Sequence, residues 1–215
     1  MTAPHQPTAE IVAAAVTPPD GETAVHRRSI DLQLFDQGGS LLLRGRLQDS
    51  RPWQDDPAVA VVHDMHIEFE ISLGSLTITR ATAQMAAFPH AECPLVTAQF
   101  GRLVGVNIAR GYNKSLREAF GGVTGCAHVY ELARAAGSAV VQGNMSRTAR
   151  RGKFGVVSPS AVFGALKGMC HIWSEGGVGP RKLDAGWRPG REDSVYPAPA
   201  LEEFQRTGGD VPGPS

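Results

Sequence analysis

Val59-Ala60-Val61-Val62-His63-Asp64-Met65-His66-Ile67-Glu68-Phe69-Glu70-Ile71-Ser72-Leu73 reads as one long strand segment. From Met65 onward apolar and polar residues alternate: Met65, Ile67, Phe69 and Ile71 fall on one face, His66, Glu68 and Glu70 on the other. A period of two is that of a half-buried β-strand, whose successive side chains leave opposite faces. His63 shares the parity of the apolar set, so alternation turns it inward, where an imidazole needs a polar partner. Asp64 has the opposite parity and is expected to face solvent or a loop.

Working outward, the same period recurs. Ile30, Leu32 and Leu34 alternate with polar residues between His26 and Phe35, and Gln37-Gly38-Gly39-Ser40 reads as a turn. Leu41, Leu43 and Gly45 lead to Leu47 in a second strand, which closes a hairpin. Gly74-Ser75 turns the chain again, and Leu76 to Met85 returns as a strand. After that the period changes. Leu95 to Val104 and Lys114 to Phe120 read as short helices, the second closed by Gly121-Gly122. Cys126 to about Val141 carries a helical stripe of Val129, Leu132, Ala133, Ala136 and Val140. Strands followed by helices indicate an α+β domain: an antiparallel sheet of about four strands, then a helical half.

The expected organisation is a flexible arm over residues 1–24, a single α+β domain over 25–175 and an irregular Gly/Pro-rich tail over 176–215, disordered from Thr207. A short helix is expected over Ser160 to Gly168, and the segment Gly176 to Pro199 is expected to be irregular. The 215 residues suffice for one domain with a real core, or one and a half at most. Lys plus Arg and Asp plus Glu both number 21, so no electrostatic footprint for nucleic acid or a membrane surface arises. The basic run Arg147, Arg150, Arg151 and Lys153 reads as a solvated loop. No stretch approaches the apolar length of a membrane span, and Met1 to Thr23 has no basic start for a secretory signal. Three cysteines, an odd number, argue for reduced thiols rather than a disulfide framework, and so for a cytoplasmic protein.

The chemistry-bearing residues collect at element ends. Gly125-Cys126-Ala127-His128, followed by Glu131, places a thiol at a predicted helix N-terminus, where unpaired N–H groups favour an anion and a thiol becomes more reactive. Inside a helix, Cys126 and His128 would point apart; with Cys126 as the cap they could converge. A buried structural cysteine beside a surface histidine is the plainer alternative. Cys93 precedes Pro94 at the junction of the two halves, and Cys170-His171 is followed by Trp173. Zinc spacings such as Cys-x-x-Cys or His-Glu-x-x-His are absent, so a metal ion would have to be held by distant segments, with His63, Cys126, His128 and Cys170 as its candidate ligands. His26-Arg27-Arg28 could bind a carboxylate or phosphate, or serve as a basic strand edge. Walker, dinucleotide and nucleophile-elbow motifs are absent.

In order along the chain, His26-Arg27-Arg28, His63-Asp64-Met65, Cys93-Pro94, Leu103-Val104-Gly105, Gly121-Gly122-Val123-Thr124-Gly125-Cys126-Ala127-His128 and Glu131-Leu132 resemble the bacterial DUF2889 family. The resemblance runs from Val25 to Gln142, with an echo at Cys170-His171, and is most specific from Gly125 to Leu132. Ala127 stands where the family has Thr. The resemblance sharpens the site and leaves the reaction open.

Three functions are expected to compete. The first is a small-molecule enzyme of bacterial catabolism: a lyase, decarboxylase or hydrolase acting on an aromatic or acyl substrate. His63 would be its acid/base, Cys126 a nucleophile or ligand, and His128, Glu131 and His171 supporting groups. Arg27, Arg28 and Trp173 would bind the substrate. The second is a metal- or iron–sulfur-binding carrier built on the cysteines and histidines. The third is a non-catalytic accessory protein. The expected partner is a small-molecule substrate, with no nucleic acid and no membrane; a homo-oligomer is left open.

Overall fold

A computed structural model describes residues 21–151, 164, 166–168 and 170–184. They fall into two compact units, residues 21–147 and the described residues from 148 onward.

The larger unit opens with a four-stranded antiparallel meander, β1 (Arg27–Asp36), β2 (Ser40–Ser50), β3 (Val61–Ser72) and β4 (Ile78–Ala87), in the order β1-β2-β3-β4. A one-turn helix α1 (Pro57–Ala60), capped by the Asp56 carboxylate on the Ala58 N–H, leads into β3. A 3-10 segment (Cys93–Leu103), helix α2 (Tyr112–Phe120) and the long helix α3 (Ala127–Arg150) follow. The α+β class and the order of strands before helices are as the periodicity indicated.

Register fixes what the sheet's inner face carries. Leu34, Leu43 and Phe69 lie side by side, as do Leu32, Gly45 and Ile67, then Ile30, Leu47 and Met65. The helices cover this face with Phe100, Leu103, Leu116, Phe120, Val129, Leu132, Ala133, Ala136 and Val140, all buried. Phe100 stacks on Phe69 at 5.3 Å and meets Phe120 edge-on at 5.4 Å. Glycines set the approach of α3. A Cβ on Gly45 would lie 3.3 Å from Leu132, one on Gly137 2.7 Å from the Tyr112 ring, and one on Gly143 against Leu34. Tyr112 is itself buried and donates its hydroxyl to the Ala133 carbonyl at 2.6 Å.

Three expectations are corrected. Asp64 does lie on the outer face, but it is 7% exposed rather than solvated, because its cross-strand neighbours Arg46 and Gln48 reach over it. Arg147 is in α3 and pairs with Asp36 at 3.1 Å; the basic run therefore begins inside a helix. In the smaller unit, Val178–Asp184 forms a helix, α4, within the stretch expected to be irregular; Pro180 sits in its first turn, where a missing N–H is harmless. The short 3-10 turn His171–Trp173 precedes it. The arm up to residue 20, most of Ser160 to Gly168 and the tail after residue 184 lie outside the described residues.

Candidate functional site

The inner face of the sheet ends in a polar row. Arg28 on β1 is the register partner of Asp49 on β2, and Asp49 is the partner of His63 on β3. All three continue the parity of the buried leucines, so the row closes the hydrophobic core at one end. The β2–β3 register shifts immediately beyond, between Asp49 and Ser50, and the β3–β4 register shifts between Asp64 and Met65. Such bulges re-aim side chains and accumulate beside functional sites.

Helix α3 brings the fourth member. Gly125 lies so close to Phe120 that a Cβ would stand 2.5 Å from the Phe120 carbonyl oxygen, which ties the start of α3 to the end of α2. Cys126 then occupies the cap, its carbonyl accepting from the Tyr130 N–H at 2.9 Å. His128, Glu131 and Leu132 follow at helical spacing on one face; Leu132 packs at Gly45, and the first two reach the Arg28–Asp49–His63 row.

Asp49 is the hub. Its carboxylate is 1% exposed and takes a two-point contact from Arg28, Nε to Oδ1 and Nη2 to Oδ2, both at 2.7 Å. His26 Nε2 lies 3.3 Å from Oδ1. His63 Nδ1 and His128 Nε2 lie 3.1 and 3.3 Å from Oδ2. The two imidazole rings stack, with centroids 3.7 Å apart. Arg28 Nη1 also bonds the Glu131 carboxylate, so one guanidinium bridges two acids. The Cys126 sulfur is 3.8 Å from His128 Nδ1. His63 and His128 are mostly buried yet reachable, at 17% and 23% exposure.

The electrostatics follow from these contacts. The hydrogen bonds and charge of Arg28, with the nearby charges of His128 and His26, outweigh burial and hold the Asp49 carboxyl at about 2, below its usual 3.8. Asp49 in turn raises Arg28. His128 is lowered, by burial first and by His63 second, against the opposing pull of Asp49. Its imidazole is therefore neutral near neutral pH, with a lone pair to offer a proton or a metal ion. Asp49, His63 and His128 each present a donor atom within 4.8 Å of the others and form a group able to hold a metal ion.

The sequence candidates thus separate. His63, Cys126, His128, Glu131 and Arg28 converge. Arg28 does bind a carboxylate, but that of this chain's own Asp49. Arg27 has the opposite parity on β1 and is exposed. Cys170, His171 and Trp173 lie in the smaller unit, at and beside the 3-10 turn His171–Trp173. Cys93 opens the 3-10 segment. Asp49 went unrecognised in the sequence, although its parity with Leu41, Leu43 and Leu47 places a carboxylate on an apolar face, itself a signal. A concavity of about 380 Å³ on the sheet's outer face is lined by Arg44, His66, Glu68, Arg80 and Gln84. Its charges satisfy one another, as in Arg80–Glu68 at 2.6 Å and Arg44–Glu68 at 3.0 Å, and it lacks the close imidazole pair and thiol of the Asp49 cluster.

Residues 26–142 match the family described as protein of unknown function (DUF2889), and the chain belongs to that family. The matched span contains every residue of the Asp49 cluster. No curated protein and no solved structure matches the chain.

Proposed function

We propose that this DUF2889 member is an enzyme acting on a small molecule at the Asp49 cluster. The observation that carries the reading is a buried carboxylate gathering two stacked, reachable imidazoles beside a thiol. A solvated surface or a plain core does not need this arrangement: burying a charge is costly unless it is fully paired, and perturbed titratable groups concentrate where they are used.

The chemistry follows from the tautomers. With its Nδ1 proton directed at Asp49, His63 leaves the Nε2 lone pair as an acid/base group toward a substrate. His128, neutral and seated between Asp49 and Cys126, can take a proton from the thiol. The imidazole pair suits a lyase, in which one imidazole takes a proton from carbon as the other protonates the departing group, or a decarboxylase, in which CO₂ departs and an imidazolium protonates the carbon it leaves. The Cys126–His128 contact favours a second reading, a hydrolase in which the thiol attacks an acyl carbon, its proton passes through His128 to the departing group, and water then cleaves the acyl thioester to release the acid and restore the thiol. The substrate class proposed for either is an aromatic or acyl compound. Among the described residues the group able to hold a metal contains no cysteine, which weighs against an iron–sulfur carrier. All three cysteines are free thiols, in keeping with a reducing, cytoplasmic setting. Among the described residues no helix is long and apolar enough to cross a membrane.

The test is turnover of a panel of aromatic acids, aromatic alcohols and acyl thioesters, followed by mass spectrometry. Product formation that disappears in the His63→Ala/His128→Ala double variant supports the reading. Product formation that persists in a folded double variant moves the chemistry elsewhere.

A further inference from the structure

The Asp49 carboxylate is oversubscribed. Five nitrogens approach its two oxygens: Arg28 Nε and His26 Nε2 at Oδ1, and Arg28 Nη2, His63 Nδ1 and His128 Nε2 at Oδ2. A carboxylate offers about four lone-pair directions, two on each oxygen. Arg28 takes one at Oδ2 with a 2.7 Å bond, so one direction remains for two imidazole nitrogens. Two N–H groups cannot both be well satisfied there. A cation among Oδ2, His63 Nδ1 and His128 Nε2 removes the conflict, because both imidazoles then turn lone pairs inward.

The separations from Oδ2 fit such an ion. Metal–ligand bonds of about 2.1 Å place neighbouring donors about 3.0 Å apart in an octahedral shell and about 3.4 Å apart in a tetrahedral one. His63 Nδ1 and His128 Nε2 stand 3.1 and 3.3 Å from Oδ2. The charges fit as well. One guanidinium, that of Arg28, is shared between the two carboxylates of Asp49 and Glu131. Arg28 then acts as the outer partner that fixes the ligating carboxylate, as the supporting shell of a metal site does.

We propose that Asp49, His63 and His128 bind one divalent first-row transition-metal ion, leaving coordination positions open to water or substrate. Two imidazoles and one carboxylate suit zinc, iron or manganese, and three protein ligands are the mark of a catalytic rather than a structural site. The inference rests on reading this cluster as the reaction centre and changes which group meets the substrate: a metal-bound water stands where the His63 imidazole would otherwise act. Stacked rings at 3.7 Å must part slightly for both to face one ion, a motion open to partly exposed side chains.

The experiment uses tag-free full-length protein, stripped with chelator and titrated with Co²⁺ and Zn²⁺ by calorimetry and visible absorption. One ion per chain is expected, with cobalt d–d bands. Affinity should fall at least about 100-fold in His63→Ala and in His128→Ala, and remain within about threefold in Cys170→Ala. Thermal melts show whether the variants fold; should either histidine variant fail, the wild-type cobalt spectrum still decides. Absence of binding by the wild type, or binding unchanged in both folded histidine variants, overturns the site. Turnover by stripped protein that is lost in His128→Ala also overturns it, while leaving the enzyme reading intact. Stoichiometric binding without turnover of any panel compound upholds the metal site and counts against that reading.

Discussion

Replacing Asp49 by Asn keeps the shape of the hub and removes its charge. The energetic consequence follows from the contacts. The Asp49 carboxyl sits at about 2 instead of 3.8. At about 1.4 kcal/mol per unit, that difference corresponds to roughly 2 kcal/mol of folding stability. The buried partner left behind adds to the loss, but Arg28 is 34% exposed and keeps Glu131, so the total is expected at about 2–3 kcal/mol, toward the low end for a broken buried pair. The sign is fixed by the direction of the shift. A carboxyl lowered in the folded state stabilises above its unfolded value, and the contribution fades as pH falls from about 4 toward 2. Urea unfolding of metal-stripped wild type and Asp49→Asn should therefore give a gap of about 2–3 kcal/mol near pH 7, smaller by about 1 kcal/mol near pH 3. Other acids titrate in both proteins and cancel in the difference. A gap below about 0.5 kcal/mol near neutrality, or one of the same size at both pH values, would refute the placement of Asp49 as a buried, Arg-clamped charge.

Two further outcomes follow from the same geometry. Gly45→Ala places a Cβ 2.8 Å from Leu32, 3.0 Å from Ile67 and 3.3 Å from Leu132 on α3, so thermal and urea melts should show a loss of about 1–3 kcal/mol; an unchanged midpoint would mean that the inner face is not closely packed over Gly45. His128 is lowered by burial and by His63, so in stripped protein its imidazole proton resonances should titrate below 6.5, and folding stability should drop as pH falls through that region; a midpoint at or above 6.5 contradicts the described burial.

Much of the fold is written in local periodicity. The alternation in Ile30–Leu34, Leu41–Leu47 and Met65–Ile71 is enough to name three strands and their inner faces. The end of α3 was not legible: the apolar stripe ends near Val141, whereas the helix runs on to Arg150, with Gly143 admitting Leu34. The site was half legible. His63, Cys126, His128, Glu131 and Arg28 stand out as residue types near element ends, and the cap position of Cys126 decides that its sulfur and His128 converge. Asp49 did not stand out, because its importance lies in register: only the pairing of β1, β2 and β3 sets it between Arg28 and His63. Asp64 misled for the same reason, since parity gives the face of a residue but not what its cross-strand neighbours cover.

Reaction is expected at the imidazole pair on Asp49. Its most direct test is kcat/KM, on whichever panel compound is turned over, for His63→Ala and His128→Ala beside wild type, with folding checked by circular dichroism. Losses of about 10²–10⁴-fold are expected in each variant, with the fold retained. Values within about threefold of wild type in both folded variants would contradict this expectation.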